Sequence, residues 1–243
     1  MNWWNDAFIY HIYPLGCCNA PKVNDAAPAS RLRSLAPWLE HMRDIGADTL
    51  LLGPIFQSES HGYDTINYFM VDSRLGTEAD LVWLVEKAHQ AGVRVVLDGV
   101  FNHVARSFFA FRDLLAKQRE SRFKDWFFVD FDTPGLPGEA FSYKSWRGHH
   151  ELVTLNTDHP EVRGHIFHAL EEWITKYGID GVRLDSADCL DLGFQRALAD
   201  RCKGLKPDFY CLGEVIHGDY SRWLNVGGLD AVTNYVLYKG LWS

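Results

Sequence analysis

Short runs of β-branched and aromatic residues alternate along this chain with stretches whose apolar positions recur every three or four residues, the order expected of a parallel α/β architecture. Residues 7–13 predict a first strand. A helix ending near Ile45 and closed by Gly46 follows, then a strand over 48–52 that stops at Gly53-Pro54. Thr77 and Asp80 stand at capping-box spacing ahead of Leu81, Leu84, Val85 and Ala88, which predicts a second helix running to Gly92. Residues 93–97 predict a third strand leading straight into Asp98.

After His103 the periodicity breaks for roughly 50 residues, with a Pro-Gly-Leu-Pro-Gly loop at 134–138, and this stretch reads as an inserted subdomain rather than a linker. Regularity returns at Pro160, a good first-turn residue, with Val162, Ile166, Leu170, Trp173 and Tyr177 at helical spacing up to Gly178. A fourth strand over 179–184 leads into Asp185, a helix over about 192–205 follows, a fifth strand over 209–212 leads into Gly213-Glu214, and a sixth covers about 229–233. Six β-α units leave an open doubly wound sheet or a closed barrel. Neither G-x-G-x-x-G nor G-x-x-x-x-G-K-[ST] occurs, so a dinucleotide or P-loop site is not supported. A (β/α)₈ barrel needs about 250 residues without insertions, so as a barrel this chain is short by about two units. The expected division is 1–103 for the first part of the barrel, 104–158 for the insertion and 159–243 for its continuation.

Composition narrows the partners. With 24 Lys and Arg against 32 Asp and Glu the formal charge is −8, which argues against nucleic acid or an anionic membrane surface. Nowhere do about 18 apolar residues run together, and the N-terminus has no basic residue before an apolar run interrupted by His11 and Pro14, so neither a membrane span nor a signal peptide is expected. Five cysteines, with no C-x-x-C pair and no His at finger spacing, write neither a disulfide framework nor a zinc site, and a reducing, cytoplasmic setting is expected. The aromatic fraction of 14%, with nine Trp, suits either a bulky core or platforms for uncharged rings such as sugars, and composition alone favours the core.

The chemistry concentrates at strand ends. Asp98, Asp185 and Glu214 fall at the C-terminal ends of the third, fourth and fifth predicted strands, which converge on one face of a barrel. Any one of them alone reads equally well as a helix cap or a solvated loop charge; three in register point to a site. Arg183, two residues before Asp185, leaves the same strand face, and a cation there favours an ionised neighbour.

These residues resemble the α-amylase family, glycoside hydrolase family thirteen. Asp98-Gly99-Val100-Phe101-Asn102-His103 is similar to its D-x-x-x-N-H region, Gly181-Val182-Arg183-Leu184-Asp185 to its G-x-R-x-D region and Gly213-Glu214-Val215 to its strand-five glutamate region. Ile9 to Pro14 resembles its first strand, Gly62-Tyr63-Asp64 its loop after strand two, and Leu155-Asn156 with Pro160 the segment closing its inserted B domain, so nearly the whole chain is covered. The resemblance implies a retaining glycosidase of carbohydrate metabolism acting on α-glucan oligosaccharides, with Asp185 as nucleophile and Glu214 as general acid/base. It also implies that Tyr63 stacks on the sugar before the cleaved bond while Asp98, His103 and Arg183 position that sugar. Glu214, with no cation adjacent in sequence, is expected to have the raised pKa and Asp185 to be the anion. No cofactor is expected to be required; calcium is the candidate ion, with Asn102 and Asp130 or Asp132 as its ligands.

Two departures from the family pattern carry further expectations. Its His-Asp region after strand seven is absent, which implies a fragment of a longer enzyme, inactive or nearly so alone, whose first and sixth strand edges a second chain would cover. Asp188-Cys189 stand where many members have Lys-His contacting the leaving-group sugar, and Ser186 stands where many α-1,6-specific members have Val, which favours α-1,4 bonds and a resemblance to small cytoplasmic members acting on maltodextrins. Transglycosylation, or oligosaccharide binding without turnover, are the alternatives.

Overall fold

The computed structural model describes residues 2–24 and 29–242. Six parallel strands lie side by side in chain order: β1 (Ile9–Ile12), β2 (Thr49–Leu52), β3 (Arg94–Gly99), β4 (Gly181–Leu184), β5 (Tyr210–Gly213) and β6 (Ala231–Val232). A doubly wound sheet reverses its strand order at a switch point, whereas this one never does. The sheet is therefore singly wound, a curled half-barrel matching six consecutive strands of a (β/α)₈ TIM barrel. Its edges are β1 and β6.

Alternation along each strand separates two apolar layers. Leu50, Leu52, Val95, Leu97, Val182 and Leu184 face outward into the main core beneath the helices. Leu51, Val96, Tyr210 and Leu212 face inward and form a second cluster with Trp3, Trp4, Ile9 and Ala231. Trp3 and Trp4 reach this layer through Tyr210, at ring-centroid distances of 5.4 and 5.6 Å. In register, Val96 of β3 lies beside Gly181 of β4; one inward step further along, Asp98 lies beside Arg183 and Arg183 beside Leu212.

The helices are α1 (Ala36–Asp44), α2 (Glu78–Gln90), α3 (Phe109–Lys117), α4 (Pro160–Tyr177), α5 (Leu192–Leu205) and α6 (Tyr235–Trp242). The α2 capping box forms: the Asp80 carboxylate accepts from the Thr77 amide at 2.9 Å, and the Thr77 hydroxyl accepts from the Asp80 amide at 3.3 Å. The cap of α4 is Gly178, at φ 72°, where a side chain would be strained.

Three differences from the sequence pattern have physical causes. β3 runs on to Gly99, so Asp98 lies inside the ladder rather than after it. β4 starts at Gly181 because the preceding Asp180 carboxylate accepts from the Val95 amide at 2.8 Å and pairs with Lys206 at 2.6 Å. A hairpin, Phe56–Ser58 with Thr65–Val71, is invisible to alternation because register shifts on both sides of Gln57 break the two-residue period. Between β3 and α4 lie α3 and an antiparallel sheet of His103–Ala105, His149–Thr154 and Ser145–Trp146. All five cysteines are free thiols, and no described helix is long and apolar enough to cross a membrane.

Candidate active site

At the C-terminal ends of β3, β4 and β5 one guanidinium gathers three carboxylates. Arg183 Nη1 donates to both Asp98 oxygens, at 2.6 and 2.7 Å, and to Asp185 Oδ1 at 3.2 Å, while Nη2 lies 2.9 Å from Glu214 Oε2. Asp98, Arg183 and Asp185 are buried. Asp185 follows the last residue of β4, and Ser186 behind it adopts left-handed backbone at φ 47°, a strained conformation that aims the chain back across the strand end. The Ser186 amide donates to Glu214 at 3.0 Å and its hydroxyl to Asp185 at 3.3 Å. From the start of α6 the Tyr235 hydroxyl donates to Glu214 Oε1 at 2.9 Å.

The electrostatics reverse one expectation. Burial, reinforced by the Asp98 charge, raises Asp185 to about 7 despite Arg183. Burial also raises Asp98, to about 6. Glu214 is lowered: desolvation opposes its charge, but Arg183, the Ser186 amide and the Tyr235 hydroxyl outweigh it. Adjacency in sequence was the wrong guide, since the guanidinium reaches across to the next strand and makes a shorter contact with Glu214 than with Asp185.

The loop after β2 brings Tyr63 to the cluster. The Asp64 carboxylate accepts amide hydrogens from Ser60, His61 and Gly62, folding the loop around itself. Tyr63 then donates its hydroxyl to Asp98 at 3.2 Å, and burial with the Asp98 charge pushes its pKa well above the ordinary phenol. His103 faces the Tyr63 carbonyl through Nε2 at 3.0 Å and the Asn102 amide through Nδ1 at 3.2 Å. That amide can only donate, so Nδ1 accepts and Nε2 carries the proton. Burial lowers His103 to about 4, which keeps it neutral.

All six sequence-derived site residues thus meet at one place. The calcium candidates do not: the Asn102 amide is turned to His103, Asp130 accepts from Thr133, and Asp132 pairs with Arg119 at 2.6 Å. No group of three or more His, Cys, Asp or Glu among the described residues is arranged to hold an ion.

Over the carboxylates opens a cavity of about 430 Å³, lined by Tyr63, His103, Asp185, Ser186 and Glu214 and walled by His61, Trp146, Arg147, His149 and Ile216. Trp146 stacks against His149 at 5.5 Å and lies 5.5 Å from His103. Sequence reasoning missed this wall, because the 145–154 hairpin sits in the stretch without periodicity. It also missed His11, whose imidazole is held low by desolvation and by the Arg183 charge; inward alternation from Ile9 was the signal for it.

A singly wound parallel sheet with acids at consecutive strand ends under an aromatic-walled cavity is the arrangement of a (β/α)₈-barrel glycoside hydrolase. Residues 24–242 match the model of the alpha amylase catalytic domain, and the chain belongs to the alpha-amylase family. It is 36% identical to a cyclomaltodextrinase of Geobacillus thermopakistaniensis, over 97% of this chain and 42% of that protein, and 34% identical to neopullulanase 2 of Thermoactinomyces vulgaris, over 98% and 43%. Among solved structures, cyclic alpha-maltosyl-(1→6)-maltose hydrolase of Arthrobacter globiformis superposes with a TM-score of 0.83 at 30% identity, over 96% of this chain and 56% of that one. The chain thus spans less than half the length of those two sequence relatives.

Proposed function

We propose that this chain carries the two-carboxylate centre of a retaining hydrolase acting on α-1,4 bonds of maltodextrin-type oligosaccharides. One observation carries the reading: Asp185 and Glu214, from adjacent strand ends, line the same cavity as Tyr63 and are tied to each other through Arg183 and Ser186. Asp185 attacks the anomeric carbon as the glycosidic C–O bond breaks, and Glu214 gives its proton to the departing oxygen. Water, deprotonated by Glu214, then displaces Asp185 from the sugar. Support for retention comes from the closeness of the two acids, since Glu214 is lowered in part by a hydrogen bond with Asp185, whereas inverting pairs stand about 6.5–9.5 Å apart. Asp98, Arg183, Tyr63 and His103 position the sugar before the cleaved bond. Transfer to a second sugar uses the same intermediate with a different acceptor.

Residues 104–158 are read as the inserted B domain, its hairpin forming one wall of the site. No step is assigned to an ion. The substrate class rests on relatives named as a cyclomaltodextrinase and a maltogenic alpha-amylase, and a cytoplasmic setting on five free thiols and a relative named an intracellular maltogenic amylase. Because β1 and β6 are unpaired edges, turnover by these residues alone is expected to be slow, with a second chain covering the edges in the active form.

The test is therefore a single-turnover one. α-Glucosyl fluoride needs no proton donor, so Glu214→Gln should form the glucosyl-enzyme but resolve it slowly. Intact mass and peptide mapping should find one glucosyl adduct on Asp185, absent when Asp185→Asn is added. An adduct elsewhere, or none, refutes the assignment.

A further inference from the structure

Across the cavity from Tyr63, the turn between Trp146 and His149 holds an unusual residue. Trp146 and His149 pair directly, so Arg147 and Gly148 form a two-residue hairpin turn, with φ of 48° and 85°. The first position of such a turn favours Asn, Asp or Gly, and a long side chain there costs backbone strain. The strain points the search at what the side chain does.

Arg147 lines the cavity together with Asp185, Ser186, Glu214 and Ile216. Its guanidinium lies 5.2 Å from the Trp146 ring centroid, and its Nη2 is 3.8 Å from Asp188 Oδ2, an ion pair beyond hydrogen-bond reach. Asp188 in turn is tied to the acid/base strand: its amide donates to the Glu214 carbonyl at 3.3 Å. Two buried polar atoms beside the guanidinium, Trp146 Nε1 and Asp188 Oδ1, have no protein hydrogen-bond partner. A stacked ring, a forked cation whose donors are only partly used and two unsatisfied polar atoms together form the composition of a sugar-hydroxyl site.

We propose that Arg147, held by Asp188 and Trp146, binds the hydroxyls of the leaving-group sugar, and of the acceptor sugar where the intermediate is transferred. The inference rests on the roles assigned above, because the departing sugar lies on the side of the proton donor and Arg147 stands on the Glu214 side of the cavity. The cation of that subsite is then supplied by the inserted hairpin rather than by the loop after β4, where Asp188 is its counter-ion. Arg147 is a specificity-determining residue that touches a sugar the chemistry leaves behind.

The test compares two quantities in the Glu214→Gln background: the rate of glucosylation by α-glucosyl fluoride, which has no leaving sugar, and the affinity for maltotriose, measured by titration calorimetry. The ratio of affinity to rate should fall about tenfold in Arg147→Gln, the loss of one charge-assisted hydrogen bond. It should fall less in Arg147→Lys, which keeps the charge without the fork, with melting temperatures confirming that both variants fold. An unchanged ratio in Arg147→Gln overturns the inference while leaving the functional reading intact. Failure of the background variant to form any adduct overturns both.

Discussion

Arg183→Met isolates the ion that organises the site. The substitution keeps the stem of the side chain and removes a guanidinium that contacts Asp98 at 2.6 Å, Glu214 at 2.9 Å and Asp185 at 3.2 Å. At an effective dielectric near 20 such contacts are worth at most about 4 kcal/mol each, and desolvating the ions takes several kcal/mol back. What the variant meets is the cost of leaving buried carboxylates without their cation, about 3–5 kcal/mol. At about 2–4 °C per kcal/mol for a domain of this size, the melting temperature at pH 8 should drop by roughly 10 °C. The loss should also depend on pH. Arg183 is the attraction that restrains all three acids, so without it their folded pKa values rise further above the unfolded values near 4. A carboxyl raised on folding stabilises fully below its unfolded pKa, and that contribution is lost as pH climbs through the folded pKa. The gap between parent and variant should therefore be widest at pH 8 and narrow towards pH 5. Differential scanning calorimetry at both values decides it: an equal gap, or a variant that melts with its parent at pH 8, refutes the role assigned to the cation.

The unsubstituted chain should show the same linkage more gently. Asp98 at about 6 and Asp185 at about 7 lose their contribution as pH rises from about 4 to about 7, whereas the lowered Asp80 and Asp180 lose theirs as pH falls below about 4, so urea midpoints should peak near pH 5, and a midpoint still rising between pH 6 and 8 contradicts this. Gly181→Ala would place a Cβ 2.7 Å from the Tyr210 carbonyl oxygen, a backbone atom that cannot recede within the ladder, and should cost about 1–3 kcal/mol by urea unfolding. Gly164→Ala, on α4 with nothing within 4 Å, should gain up to about 1 kcal/mol; equal effects at the two positions would show that strand spacing is not the cause.

Much of this was legible because the strand code and the site code coincide. Parallel strands buried on both faces read as apolar runs, so the acids at 98, 185 and 214 stood out where those runs end. Thr77-Asp80 and Pro160-Gly178 marked the ends of α2 and α4 through chemistry local to the chain, which sequence shows directly. What escaped has nonlocal causes. The bulged Phe56–Ser58 hairpin loses alternation to register shifts. The wall at Trp146 and Arg147 lies in a segment held by ring contacts among residues far apart in sequence, such as Phe111 with Phe127 and with Tyr143. The reversed acidities of Asp185 and Glu214 depend on which way one guanidinium points, and only packing decides that.

That reversal bears on how the site would work. Three carboxylates and one guanidinium cannot all stay ionised in a buried cluster, and with Asp185 at about 7 the group holds close to one proton at neutral pH. A retaining step needs the same count, one proton for two acids, but with the proton on Glu214 and the charge on Asp185. The two carboxyls share a hydrogen bond, so the two arrangements differ by the transfer of one proton across it, with no exchange with solvent. A leaving-group oxygen arriving beside Glu214 would displace partners that now favour its anion, the Tyr235 hydroxyl being the most exposed of them, and would offer an acceptor that only protonated Glu214 can satisfy. Substrate binding would then complete the catalytic protonation state, because the fold supplies the right number of protons and the ligand decides which carboxyl holds the one that matters.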